Sequence, residues 1–298
     1  MRKLHLLVIG LMMSGVLFSQ QLNISSLYNL NKYEINPAVA GTEKGIPLAF
    51  SYRKAWVGMD GSPSMQRLSA HMQVARNMGV GARIFNSTQG PIRKTGMEAS
   101  YAYHIPLNTR DSSRLSFGLS AFVYQYYMDK QKLIVEDPSD PAVLGDEKKV
   151  VPDAAFGVYY YAKNYYVGLS IYQLFQGKIR FDPDDIIENE RERHYLFNMG
   201  YKFEISKNFK LEPSVLLKYL EGSVFQADVN VYATYMDMVS LGVSYRTNDA
   251  VVLQFGYSSP RLNIAYAYDI GLGDISTVSS GSHEVMVIYR FGNPIKIK

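Results

Sequence analysis

The stretch Tyr52–Pro63, YRKAWVGMDGSP, sets two adjacent cations beside the single tryptophan of the chain and several turn residues. Arg53, Trp56 and Asp60 are candidate partner-binding residues, because arginine and tryptophan are enriched among the residues that dominate protein interfaces. The same stretch also fits an ordinary bend between two strands, with Gly58 and Pro63 as turn residues. In that interpretation Arg53 and Trp56 fix the end of a strand.

The histidines do not show the pattern of a metal site. His71, His104, His194 and His283 lie on different predicted strands, without the short spacings that metal ligands usually have. A Ser/His/acid triad can assemble from distant positions, but no G-x-S-x-G motif is present. We therefore expect no enzyme activity, no catalytic residues, no cofactor and no metal, and interpret the histidines as interior polar or interfacial residues.

Two acidic segments, 136–147 and 182–192, carry clustered carboxylates of the kind that Ca²⁺ prefers. Neither has the D-x-D-x-D-G order of a calcium loop. We interpret both as solvated loops.

Other charged residues lie inside predicted strands, on the face opposite to the apolar one. Charges enclosed in this way must be paired or hydrated, so they predict an internal ion-pair network, and a permeation pathway is the functional alternative. The residues concerned are Glu98, Arg180, Asp228, Arg246, Asp269, Glu284 and Arg290.

The first residues place two cations before an apolar stretch from Leu6 to Phe18, which predicts a signal peptide over 1–19. No later stretch has the roughly 20 apolar residues of a transmembrane helix. The absence of cysteine excludes disulfides and thiolate chemistry. Without Arg2 and Lys3 the formal charge falls from +4 to +2, which argues against nucleic acid as a partner.

Most of the chain after Ile46 alternates with period two in segments of about ten residues, which favours strands. In 113–127 one face carries Leu115, Phe117 and Leu119, and the other carries serine and glycine. About fourteen such segments predict a transmembrane antiparallel β-barrel, although a water-soluble sandwich would show the same alternation.

The connections between these segments favour the barrel. The even-to-odd connections are short, whereas the longest ones, 128–151, 175–192 and 270–281, are odd-to-even. Short periplasmic turns and longer extracellular loops are typical of outer-membrane barrels. This parity places the Trp56 loop and a loop at 87–94 on the extracellular side.

Three motifs resemble the PorP/SprF family of Bacteroidota: NPAVAG at Asn36–Gly41, Y-R-x-x-W-x-G at Tyr52–Gly58 followed by Gly61–Pro63, and SHEVMVIYRF at Ser282–Phe291. Within these motifs we regard Asn36, Pro37, Gly41, Gly58, Pro63, His283 and Glu284 as structural positions.

The resemblance implies an outer-membrane barrel of the type IX secretion system that handles secreted adhesins through their C-terminal sorting domains, in gliding bacteria among others. Its partners would be outer-membrane lipid, the cargo and other secretion components. The expected organisation is a signal peptide over 1–19, a periplasmic or plug-like segment over 20–45, a barrel over 46–291 and a tail over 292–298. The alternatives are a small-solute channel or transporter and a soluble secreted adhesin.

Overall fold

The computed structural model describes residues 24–108, 112–132, 147–176, 192–221 and 225–292. The signal peptide, Arg180, residues 136–146 and 182–191 of the acidic segments, and residues 293–298 lie outside them.

The described residues form fourteen antiparallel strands, and pairing of the last with the first closes a barrel. This confirms the predicted fold class. One strand is interrupted at Lys202, and both of its parts pair with the strand that follows. The strands are β1 Ile46–Lys54, β2 Ser64–Ala75, β3 Met78–Gln89, β4 Ile92–Asn108, β5 Ser113–Met128, β6 Glu147–Tyr161, β7 Tyr165–Tyr172, β8 His194–Tyr201 with Phe203–Glu204, β9 Phe209–Leu220, β10 Phe225–Tyr235, β11 Val239–Arg246, β12 Ala250–Ser258, β13 Leu262–Gly271 and β14 Ser282–Phe291.

The predicted alternation is confirmed in the closed sheet. In β5, Phe117 and Leu119 point outward and are exposed, whereas Ser116 and Ser120 point into the lumen and are buried. Large apolar side chains cover the outer face on every side of the barrel, which excludes the sandwich interpretation, since a sandwich would bury them between two sheets.

The two ends of the barrel differ in the length of their connections. At one end, called the turn end, the described connections are short, as at Arg76 and Asn77 between β2 and β3. The other end, called the loop end, carries 55–63 and 272–281, and the latter includes a short helix, α1, at Ile275–Val278. The predicted loop at 87–94 is wrong: β3 continues to Gln89 and β4 starts at Ile92, because Asn86 and Thr95 extend the ladder by pairing across it.

Outward-facing aromatic side chains form a belt near each end, as expected where a barrel meets the membrane interfaces. At the turn end they include Tyr103, Tyr201, Phe203, Tyr235, Tyr257 and Tyr289, and at the loop end Tyr52, Tyr219, Phe225, Tyr245 and Tyr266. Among the described residues no helix is both long and apolar enough to cross a membrane.

Candidate functional site: the filled lumen and the loop-end surface

The segment 24–44, which precedes β1, runs through the lumen from the loop end to the turn end. Its contacts involve strands on all sides of the barrel, so it occupies the interior and does not lie against one wall. The contacts include those of Ser26 with Asp269 on β13, Tyr28 with Asn230 on β10, Tyr33 with Ser100 on β4, Ile35 with Ser170 on β7, and Gly41 with His71 on β2.

Asn36 fixes the part of this segment near the turn end. Its Oδ1 accepts a hydrogen bond of 2.9 Å from the Ala38 backbone, which caps the short 3₁₀-helix Pro37–Val39. Its Nδ2 donates to the carbonyls of Val158 (3.0 Å) and Leu169 (3.3 Å). One side chain thus orders the local turn and also ties it to β6 and β7.

Glycines in the barrel wall make room for this turn. A Cβ atom at Gly118 would lie 2.2 Å from the Ala38 nitrogen, and one at Gly79 would lie 2.0 Å from the Ala40 carbonyl oxygen. Gly41 itself has φ = 81°, a left-handed conformation that glycine adopts readily. The wall and the segment are therefore complementary in shape.

Near the loop end, charged groups hold the segment. The Ser26 N–H donates to Glu284 Oε2 (2.7 Å), and its hydroxyl donates to Asp269 Oδ2 (2.8 Å). The Arg53 guanidinium pairs with both carboxylates, at 3.3 Å to Glu284 and 2.8 Å to Asp269. The Glu284 side chain has no solvent exposure, so its charge depends on these partners and on the Ser25 hydroxyl.

The network continues around the lumen. Arg246 pairs with Asp228 at 3.3 Å and with Asp269 at 3.3 Å, and Arg83 pairs with Glu98. The predicted internal network is thus confirmed for Glu98, Asp228, Arg246, Asp269 and Glu284, and Arg290 pairs with Glu43 near the turn end. Sequence reasoning missed Arg67 and Arg83, although both lie in phase with inward-facing residues of their strands.

Arg53 does not lie where the sequence suggested. It was a candidate contact for a partner, but β1 continues past it, and its side chain points into the lumen with 7% exposure. This is a correction: inward alternation continues through Ser51 and Arg53, while outward Tyr52 is exposed. Arg53 therefore serves the luminal network.

Trp56 and Asp60 remain in a surface loop at the loop end. Asp60 is exposed and Trp56 is half-buried. Trp56 has φ = 47°, a left-handed conformation that costs a non-glycine residue roughly 1–2 kcal/mol.

Backbone hydrogen bonds hold the Trp56 loop against its neighbours. Val57 donates to the Gly281 carbonyl (2.8 Å) and accepts from the Ser280 N–H (2.7 Å), which joins it to the β13–β14 loop. Gly90 donates to the Gly61 carbonyl (2.9 Å), which joins it to the β3–β4 turn. Gly58, with φ = 101°, is exposed, and Pro63 is buried where β2 approaches. We call 55–63 with 272–281 the loop-end surface.

The histidines take the positions expected of interior and interfacial residues. His71, His104 and His194 are buried on the inner face, and His283 faces outward, where its Nδ1 lies 2.6 Å from the Tyr266 hydroxyl. Among the described residues, no three histidine, aspartate or glutamate side chains group as a metal site would require.

Solved barrels resemble this structure. The Ralstonia pickettii toluene transporter TbuX aligns with a TM-score of 0.53 at 10% identity, covering 92% of this chain and 96% of the transporter. The CymD monoaromatic hydrocarbon channel aligns with a TM-score of 0.52 at 13% identity, covering 93% of this chain and 95% of the channel. At such low identity these alignments show the fold alone. No curated protein matches the sequence.

The sequence itself matches a family described as "Type IX secretion system membrane protein PorP/SprF" over residues 16–289. The match covers all fourteen strands except the last two residues of β14, and it includes the luminal segment. The PorP/SprF family and the outer-membrane barrel fold are both non-enzymatic kinds of protein. Together they confirm the predicted localisation in the bacterial outer membrane. The chain therefore belongs to the PorP/SprF family of type IX secretion membrane proteins.

Proposed function

We propose that this protein is a non-enzymatic barrel that binds secreted cargo or retains it at the cell surface, through the cargo's C-terminal sorting domain. The observation that supports this proposal most is that the lumen is filled. Residues 24–44 occupy it, and charged side chains that point into it form ion pairs with one another. With the interior taken up by the protein's own chain, the accessible surface for a partner lies at the ends. The other partners in this proposal are outer-membrane lipid and further type IX secretion components.

Within this proposal the loop-end surface receives the cargo. Hydrogen bonds between loops already order it, so binding costs little additional conformational entropy. The loop-end surface presents half-buried Trp56, exposed Asp60 and exposed Val278. It thus combines an aromatic side chain that could anchor a partner with polar and apolar neighbours.

Binding of a purified cargo sorting domain to the barrel in nanodiscs tests the site. We expect Trp56→Ala with Asp60→Ala to weaken binding by about tenfold or more, since truncating an interface tryptophan often costs at least 2 kcal/mol. Met236→Ala with Asp237→Ala is the control, because both residues are exposed at the turn end. Equal affinities of the two double variants would contradict the assignment.

The alternative function is a channel or transporter for a small solute. It is favoured by the names of the two similar barrels, a toluene transporter and a monoaromatic hydrocarbon channel. Planar-bilayer recordings discriminate the two functions: solute-dependent conductance of the wild-type barrel would favour transport, whereas a non-conducting barrel that retains cargo would favour secretion.

A further inference from the structure

The turn end carries exposed cations without a counterion in the described part of the chain. Lys44, Arg76 and Arg261 are exposed, and none of them forms an ion pair with any residue that the structure describes. They lie in the connections before β1, between β2 and β3, and between β12 and β13. Since β12, β13, β14, β1, β2 and β3 are consecutive in the sheet, these three residues lie on one side of the turn end, and we call them the basic arc.

Acidic residues near the turn end do not neutralise this arc. Glu43 pairs with Arg290 at 3.2 Å, Glu204 with Lys163 at 3.7 Å, and Asp237 with Lys210 at 2.5 Å. Glu212 pairs with Lys32 and Lys202. The described carboxylates of this end are thus already committed to other cations, and the arc keeps its positive charge.

The arc borders the outer apolar face. Exposed Val74 and Met78 flank Arg76, and exposed Tyr257 and Tyr289 lie on the strands beside Arg261. Cations next to an aromatic belt are placed at the depth of lipid headgroups, with apolar neighbours in contact with the acyl chains.

We propose that the basic arc of Lys44, Arg76 and Arg261 binds the phosphate groups of anionic phospholipids in the leaflet that meets the turn end. Three unneutralised cations attract such headgroups, whereas a zwitterionic headgroup carries its own compensating charge. The arc thus fixes the height of the barrel in the membrane and selects its neighbouring lipids.

The test uses the full barrel in nanodiscs containing phosphatidylglycerol and phosphatidylcholine in equal amounts, with retained lipids counted by native mass spectrometry. We expect wild type to enrich phosphatidylglycerol. The triple variant Lys44→Gln, Arg76→Gln, Arg261→Gln should lose most of that enrichment, because each cation near an anionic surface contributes to the attraction.

A second triple variant, Lys163→Gln, Lys202→Gln, Lys210→Gln, is the matched control. It removes the same formal charge from the same end, but from lysines that are already paired. Equal losses in the two triple variants would show that only net charge matters and would overturn the proposal. The proposal would also be overturned if wild type did not enrich phosphatidylglycerol. If wild type instead bound polyglutamate through the arc, the ligand of the arc would be an acidic protein and not a lipid.

Discussion

Replacing Glu284 by alanine should lower the free energy of unfolding by about 3–5 kcal/mol, the usual cost of removing one partner from a buried ion pair. Glu284 is fully buried, and its carboxylate accepts hydrogen bonds from Ser25, Ser26 and Arg53. Without it, the Arg53 guanidinium loses part of its compensation, and the Ser26 N–H loses its acceptor. Urea unfolding of the barrel in lipid micelles measures the change.

Glu221→Ala is the control for this result. Glu221 also faces an arginine, Arg193 at 3.8 Å, but its side chain is 45% exposed. Exposed pairs contribute about 0–1 kcal/mol, so this variant should unfold nearly like wild type. Similar losses in both variants would mean that the luminal network does not carry the predicted stability.

Gly118→Leu should expel the Pro37–Val39 turn from the lumen. The first added carbon would lie 2.2 Å from the Ala38 nitrogen and 2.4 Å from the Pro37 carbonyl carbon, and both are backbone atoms that cannot rotate away. Overpacking of this kind costs roughly 1–3 kcal/mol, and moving the turn out of the lumen relieves it. We expect stable conductance in planar bilayers, where the wild-type barrel stays closed.

The neighbouring residue provides the control for this variant. Leu119 faces outward with 58% exposure, so Leu119→Phe adds volume on the lipid side of the same strand. It should leave the barrel closed. A Gly118→Leu barrel that folds, keeps its stability and does not conduct would show that the turn does not close the lumen.

The local alternation of apolar and polar residues was sufficient to predict the strands. In β5 and β13 the period-two alternation assigns each residue to the lumen or to the outer face, because a strand buries alternate side chains whatever its partners are. The charges of Asp269 and Glu284 were placed correctly for the same reason. The same alternation, applied to Arg53 in β1, would also have placed its side chain inside.

The luminal segment could not be predicted in this way. Residues 24–44 have no strand or helix periodicity, and their partners are distant in sequence: Ser25 and Glu284 are 259 residues apart. No local rule pairs such positions. The resemblance in Asn36–Gly41 identified a structural motif, but only the closed sheet shows that glycines on other strands make room for it.

The path of residues 24–44 has a consequence for biogenesis. They are covalently continuous with β1, which must join β14 to complete the cylinder, and they contact strands from both halves of the chain. A finished cylinder offers no lateral entry for a polypeptide that spans its interior. We therefore expect the strands to gather around these residues, so that β1 pairs with β14 in the same step of assembly in which the interior is filled.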